Sequence, residues 1–153
     1  MKSVSQPDRF QALDACHQQI HAHLERLTDV LKMLEAGADE AQYRKQVGEI
    51  EAYFSSTSRQ HHADEEKNVF PALLSSDNAE LVQAVRTLQQ DHGWIEQNWI
   101  ELAPMLRAIA EGEDWVDSAE LLHAVAVFLE LCRAHIAREE TLIYPAAKAN
   151  LKG

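Results

Sequence analysis

One eleven-residue pattern occurs twice in this chain, and each copy ends on a proline. The first copy is His61-His62-Ala63-Asp64-Glu65-Glu66-Lys67-Asn68-Val69-Phe70-Pro71, and the second is His135-Ile136-Ala137-Arg138-Glu139-Glu140-Thr141-Leu142-Ile143-Tyr144-Pro145. Each starts with a His, places a Glu-Glu pair four residues later, and closes on an aromatic residue and Pro. On an α-helix, residues i and i+4 lie on one face, so His61/Glu65 and His135/Glu139 each offer an imidazole and a carboxylate to one point. A single such pair is an incomplete metal site. Two of them in 153 residues point to a shared one.

The surrounding sequence is helical in period. From about Asp8 to Glu35, with Ser5 and Asp8 as candidate caps and Gly37 just past the end, apolar residues step by three and four: Phe10, Leu13, Ile20, Leu24, Leu27, Leu31, Leu34. His17 stands in that stripe where a Leu is expected. A second helix is predicted from Asp39, with Gln42 as reciprocal cap, to about Leu74, its seam passing through Val47, Ile50, Phe54 and His61. Pro71 predicts a kink, or an early end near Phe70. The third is predicted after Asp77, with Glu80 completing its cap, along Leu81, Val85, Leu88, His92, Ile95, Trp99, Leu102, Leu106 and Ile109, bent or broken at Pro104. The fourth is capped by Asp117 or Ser118 and runs through Leu121, Val125, Phe128, Cys132, His135 and Glu139 to about Pro145. Four amphipathic helices with short connections predict an all-α, antiparallel up-down four-helix bundle.

The two halves repeat. His17 and His92 are 75 positions apart and His61 and His135 are 74 apart, so each half is a helix pair carrying two seam histidines. In an up-down bundle the start of an odd helix lies beside the finish of an even one. All four histidines then fall at comparable depth from one end.

Composition narrows the function. Residues 1–153 make one domain, large enough for a single core. A formal charge of −11 excludes nucleic acid and anionic membrane surfaces as partners, since both require a basic face. No apolar run reaches the roughly 20 residues of a membrane span. Met1-Lys2-Ser3-Val4-Ser5-Gln6-Pro7 lacks the apolar centre of a signal peptide, so the expected location is the cytoplasm. There, Cys16 and Cys132 are expected as free thiols.

The candidate site is His17, His61, Glu65, His92, His135 and Glu139. Buried carboxylates without partners would cost several kcal/mol each, and a pair of cations removes that penalty. Nitrogen and oxygen donors without thiolate favour iron or manganese, with zinc as a further option. Two metals bridged by both carboxylates, and by an oxide or hydroxide, would keep a place for a small exogenous ligand.

These residues resemble the hemerythrin-like, or HHE cation-binding, family. The resemblance spans nearly the whole chain through His17-x-x-Ile20, His61-x-x-x-Glu65-Glu66 with Phe70-Pro71, His92-x-x-Ile95, and His135-x-x-x-Glu139-Glu140 with Tyr144-Pro145. It implies two iron ions in a bundle and a small ligand such as O2, NO or peroxide, bound for sensing, storage or stress protection, with no protein partner specified. A ferroxidase or peroxidase-like enzyme, or a metal-gated interaction module, is the alternative. The family's oxygen carriers have a further His one turn before the third-helix ligand. Leu88 stands at that position here, which argues against reversible O2 carriage. In some members the last carboxylate comes five residues after the His, so Glu140 competes with Glu139.

Other residues read as supporting. His62 and Glu66 are rotated off the seam, toward solvent or the outer surroundings of the site. His21 and Glu96 follow His17 and His92 by four and are expected at the surface or behind the ligands. His23 and His123 read as solvated. Cys132, Trp94, Trp99 and Tyr144 read as packing, with Phe54 and Phe128 as dry walls controlling access.

Overall fold

A computed structural model describes residues 6–146, with side chains from position 15 onward. The expected cap at Ser5 and the side chains of Asp8, Phe10 and Leu13 lie outside the described residues. The elements are α1 (Gln6–Glu35), a 3-10 turn (Glu40–Gln42), α2 (Arg44–Ser55), α3 (Thr57–Asp64), a π-helical turn (Glu65–Val69), α4 (Phe70–Leu74), α5 (Ala79–Ala110), α6 (Ser118–Arg138) and a second π-helical turn (Glu139–Ile143). The segment from α2 to α4 forms one arm of the bundle. α1 packs against α2 and α6, and α5 packs against the same two, which closes an antiparallel four-helix bundle. No strand occurs among the described residues. None of the described helices is long and apolar enough to cross a membrane.

α1 and α5 stop in the same way. Gly37 and Gly112, 75 positions apart, adopt φ of 71° and 78°, the left-handed conformation in which a side chain is disfavoured. Around each, a paired set of backbone bonds satisfies the last carbonyls: Gly37 to Leu34 and Ala38 to Met33, then Gly112 to Ile109 and Glu113 to Ala108. The starts depart slightly from expectation. Asp39 caps the 3-10 turn through Ala41 N–H, and α2 opens only at Arg44. Asn78, rather than Asp77, caps α5 by accepting from Glu80 and Leu81 N–H, while Asp117 caps α6 as read.

Neither Pro71 nor Pro104 ends its helix. α5 runs through Pro104 unbroken. Pro104 and Ile100 are both exposed, so water can bond the Ile100 carbonyl that Pro104 has no N–H to reach. Pro71 does not end its helix. The π turn immediately before it carries Phe70 N–H to Glu65 O, one residue further back than in an α-helix, and the chain then continues into α4. The same device precedes Pro145, with Tyr144 N–H on Glu139 O. The second arm is also interrupted at Ser56, inside the run Ser55-Ser56-Thr57-Ser58, where the Ser56 hydroxyl bonds Ala52 O at 2.7 Å. Such side chains compete with the helical backbone, which explains the break.

The core is divided. A large cluster is built around Leu24, Leu27, Ile50, Phe54, Trp99, Leu106 and Phe128. A smaller one holds Val69, Phe70, Leu73, Val85, Leu88, Ile143 and Tyr144. Between them lies a layer of buried polar residues: His17, His61, Glu65, His92, His135 and Glu139.

Candidate metal centre

The seam histidines meet at one level. The rings of His17 and His61 are 4.9 Å apart, and those of His92 and His135 are 4.6 Å apart. Two fully buried carboxylates stand among them. Glu65 Oε1 is 3.1 Å from His61 Nε2 and 3.8 Å from His92 Nε2. Glu139 Oε2 is 3.0 Å from His17 Nε2, while its Oε1 contacts His135 Nε2 and lies 3.8 Å from His92 Nε2. Each carboxylate therefore touches imidazoles from both halves of the repeat.

Two overlapping groups have ligand atoms within 4.8 Å of one another: His17, His61, Glu65 and Glu139, and His62, Glu65, His92 and His135. Glu65 belongs to both. The six residues expected from the sequence are brought together, and His62 joins them. Of the two readings of His62, toward solvent or in the outer surroundings of the site, the first does not hold: the ring is half-buried, stacks on His92 at 4.1 Å and meets the edge of His135 at 5.7 Å.

The fit to a cation rests on where the polar atoms aim. His61 Nε2, His92 Nε2, His135 Nε2, Glu65 Oε1 and Glu139 Oε1 are buried and have no hydrogen-bond partner. They approach one another closely, but at angles that form no hydrogen bond. Buried polar atoms left in this way cost about 1–3 kcal/mol each, more for a charge, and the penalty disappears if the atoms share a cation. The donor set of nitrogen and oxygen suits a first-row divalent or trivalent metal.

The outer nitrogens are held by carboxylates. His92 Nδ1 lies 3.1 Å from Glu66, His17 Nδ1 3.3 Å from Glu140, and His135 Nδ1 3.4 Å from Asp91. A carboxylate accepting from Nδ1–H fixes the ring and leaves the Nε2 lone pair pointing inward. Arg138 in turn holds Asp91 at 2.7 Å, and His21 holds Glu140 at 2.8 Å. The two members of each Glu-Glu pair thus divide their work. Glu65 and Glu139 face inward, and the more exposed Glu66 and Glu140 steady neighbouring rings. Glu139, not Glu140, is the inward carboxylate of the last helix.

The repeat is not symmetric. Position 16, the counterpart of Asp91, is Cys, and His61 Nδ1 has no partner. Phe70 stacks on His92 at 5.7 Å, but its counterpart Tyr144 stacks on His17 at 4.7 Å and adds a hydroxyl. That hydroxyl donates to Glu65 Oε2 at 3.0 Å and lies 3.0 Å from His17 Nε2. Tyr144 reads as packing in the sequence. The only signal for its polar role is that Phe serves at the equivalent place.

The electrostatics follow from burial and mutual contact. Burial, then the neighbouring Glu139, pushes the Glu65 carboxyl well above its ordinary range. Glu139 goes the other way: burial opposes its charge, but close contact with Glu65 and with the imidazoles of His135, His17 and His92 holds it well below. Burial and mutual contact thus push the two carboxyls apart, Glu65 toward its protonated form and Glu139 toward its charged one. Burial and neighbouring His17 lower His61 to about 4, and burial with neighbouring imidazoles lowers His62 strongly. For His135 burial is outweighed by Asp91 and Glu139, which raise it to about 8.

Beyond this cluster, His23 stacks on Tyr53 at 3.7 Å rather than standing free in solvent, and His123 is exposed as read. Glu96 pairs with Arg59 at the surface. Leu88 is fully buried in the smaller apolar cluster. Phe54 lines a pocket against the imidazole layer with Ile20, Ile95, Cys132 and Ile136, and Phe128 packs behind it at 5.2 Å. The cavity there is about 10 Å³, at the lower limit for a single water molecule.

The sequence matches the hemerythrin family, described as hemerythrin HHE cation binding domain, over residues 8–147. The chain belongs to that family. It is also similar to an uncharacterized protein of Haemophilus influenzae, 27% identical over 134 residues, covering 87% of this chain and 75% of that protein. No solved structure matches it.

Proposed function

We propose that this bundle holds two iron ions between His17, His61, Glu65, His92, His135 and Glu139, and binds O2, NO or a peroxide there for sensing, storage or protection in the cytoplasm. The observation that carries the reading is the convergence of five buried, unpartnered nitrogen and oxygen atoms on one layer. Iron bound there supplies Lewis acidity and one-electron redox chemistry. The chain supplies the rest. Glu66, Glu140 and Asp91 orient imidazoles, Glu65 and Glu139 reach both halves, and the Tyr144 hydroxyl stands at the His17 side as a hydrogen-bond donor. Phe54, Ile20 and Ile95 form an apolar wall, and the narrow pocket beside it suits a diatomic or peroxidic ligand better than an organic substrate.

Iron loading followed by an anaerobic-to-aerobic optical titration tests this. Two irons per chain and a spectral change reversed on removing the gas are expected for a binding protein. Irreversible oxidation with continued consumption of ferrous iron would replace it with a ferroxidase. One metal per chain, or none, would remove the two-iron reading.

A further inference from the structure

The repeat places an imidazole on one side of the site that has no counterpart on the other. His62 corresponds to Ile136 at the offset of 74 that relates His61 to His135. Ile136 is buried in the large apolar cluster. His62 instead leaves that role and lies against His92 and His135, with a ligand nitrogen within 4.8 Å of theirs and of Glu65. It makes no hydrogen bond or ion pair among the described residues, so its ring nitrogens have no other visible purpose. Leu88, also on this side, is sealed in the small core and offers nothing.

We infer that His62 is a metal ligand, and that it makes the two positions unequal: His62, His92 and His135 give one side three imidazoles, while His17 and His61 give the other two. This rests on the two-metal reading above. The carboxylates reach both sides, so the difference between them lies in the nitrogen donors. The three-imidazole side fills first and holds its ion more tightly. The side next to Tyr144 keeps the open place for a small ligand.

Zinc, a diamagnetic probe, tests the assignment in the full chain. Metal-free protein is titrated while imidazole ¹⁵N resonances are followed, and affinities are taken from competition with a chromophoric chelator. The first equivalent is expected to move the ring nitrogens of His62, His92 and His135, and the second those of His17 and His61, with affinities at least about tenfold apart. His62→Ile, which installs the residue of the other half, should still take up two zinc ions but bring the two affinities within about threefold. A His62 resonance that stays unmoved with two zinc ions bound would overturn the inference while leaving the two-metal site standing, and so would a variant with both affinities unchanged. The wild-type resonances decide the question even if the variant unfolds. Uptake of no zinc by folded wild-type protein would instead overturn the two-metal reading itself.

Discussion

Glu66 and Glu140 occupy equivalent places in the two halves of the bundle, and each sets its carboxylate against the Nδ1 of an imidazole on a different arm. The distances are 3.1 Å to His92 and 3.3 Å to His17. Because each steadies one ring on one side, Glu66→Gln and Glu140→Gln are expected to weaken different metal positions by about 10–100-fold. Chelator competition on each variant checks this. Loss of both metals from either single variant would show that the two sides are not separately supported.

Tyr144→Phe copies Phe70 and should preserve the fold. It removes a buried hydroxyl bonded to Glu65, a loss of about 1–2 kcal/mol in metal-free protein by thermal unfolding. Two metals should remain bound, whereas the affinity for the small ligand should fall. Unchanged ligand affinity would make the hydroxyl a structural group only.

The pH response should reverse sign with metal. In the metal-free protein His135 keeps its proton to about pH 8, against an ordinary value of 6.5, so over that interval the folded state binds more protons than the unfolded chain. Stability then falls as pH rises, by on the order of 2 kcal/mol for this group. Glu65, raised above its ordinary range, pulls the same way. His61, lowered to about 4, acts only on the acid side, costing stability as pH drops from 6.5. Metal binds deprotonated ligands, so its contribution grows with pH. Melting temperatures at pH 6.5 and 8 should therefore fall without metal, while the increment given by zinc rises.

Alanine substitutions should be graded by position. His61→Ala and His135→Ala remove inward imidazoles and should abolish the bound metal pair, whereas His123→Ala, at the exposed surface, should leave metal content unchanged. Elemental analysis after iron loading reads all three. Equal losses would undo the assignment.

Most of the bundle was legible because its rules are local. Seam spacing located the arms, Gly37 marked the first helix end, and the duplicated His/Glu pattern located the polar layer. What escaped depends on small rotations. His62 and His61 are adjacent, about 100° apart around a helix, and periodicity alone sent one of them outward. The break at Ser56 and the π turn after Asp64 lie on either side of that pair. Tyr144 reads as packing because a phenol and a phenyl ring share the same seam signal. Pro104 does not break α5, since at an exposed helix face water can replace the bond it forfeits.

Each π turn begins on the inward carboxylate and is closed by the N–H of the residue that follows it, the aromatic that stacks against a histidine. The wider turn sets the fifth residue after each carboxylate, Phe70 or Tyr144, where the fourth would stand in ordinary α-winding, so each aromatic ring stays on the face that its carboxylate defines. A residue inserted into the α-wound part of either arm has no such turn to absorb it and would rotate every inward side chain beyond it by about 100°, away from the imidazole layer.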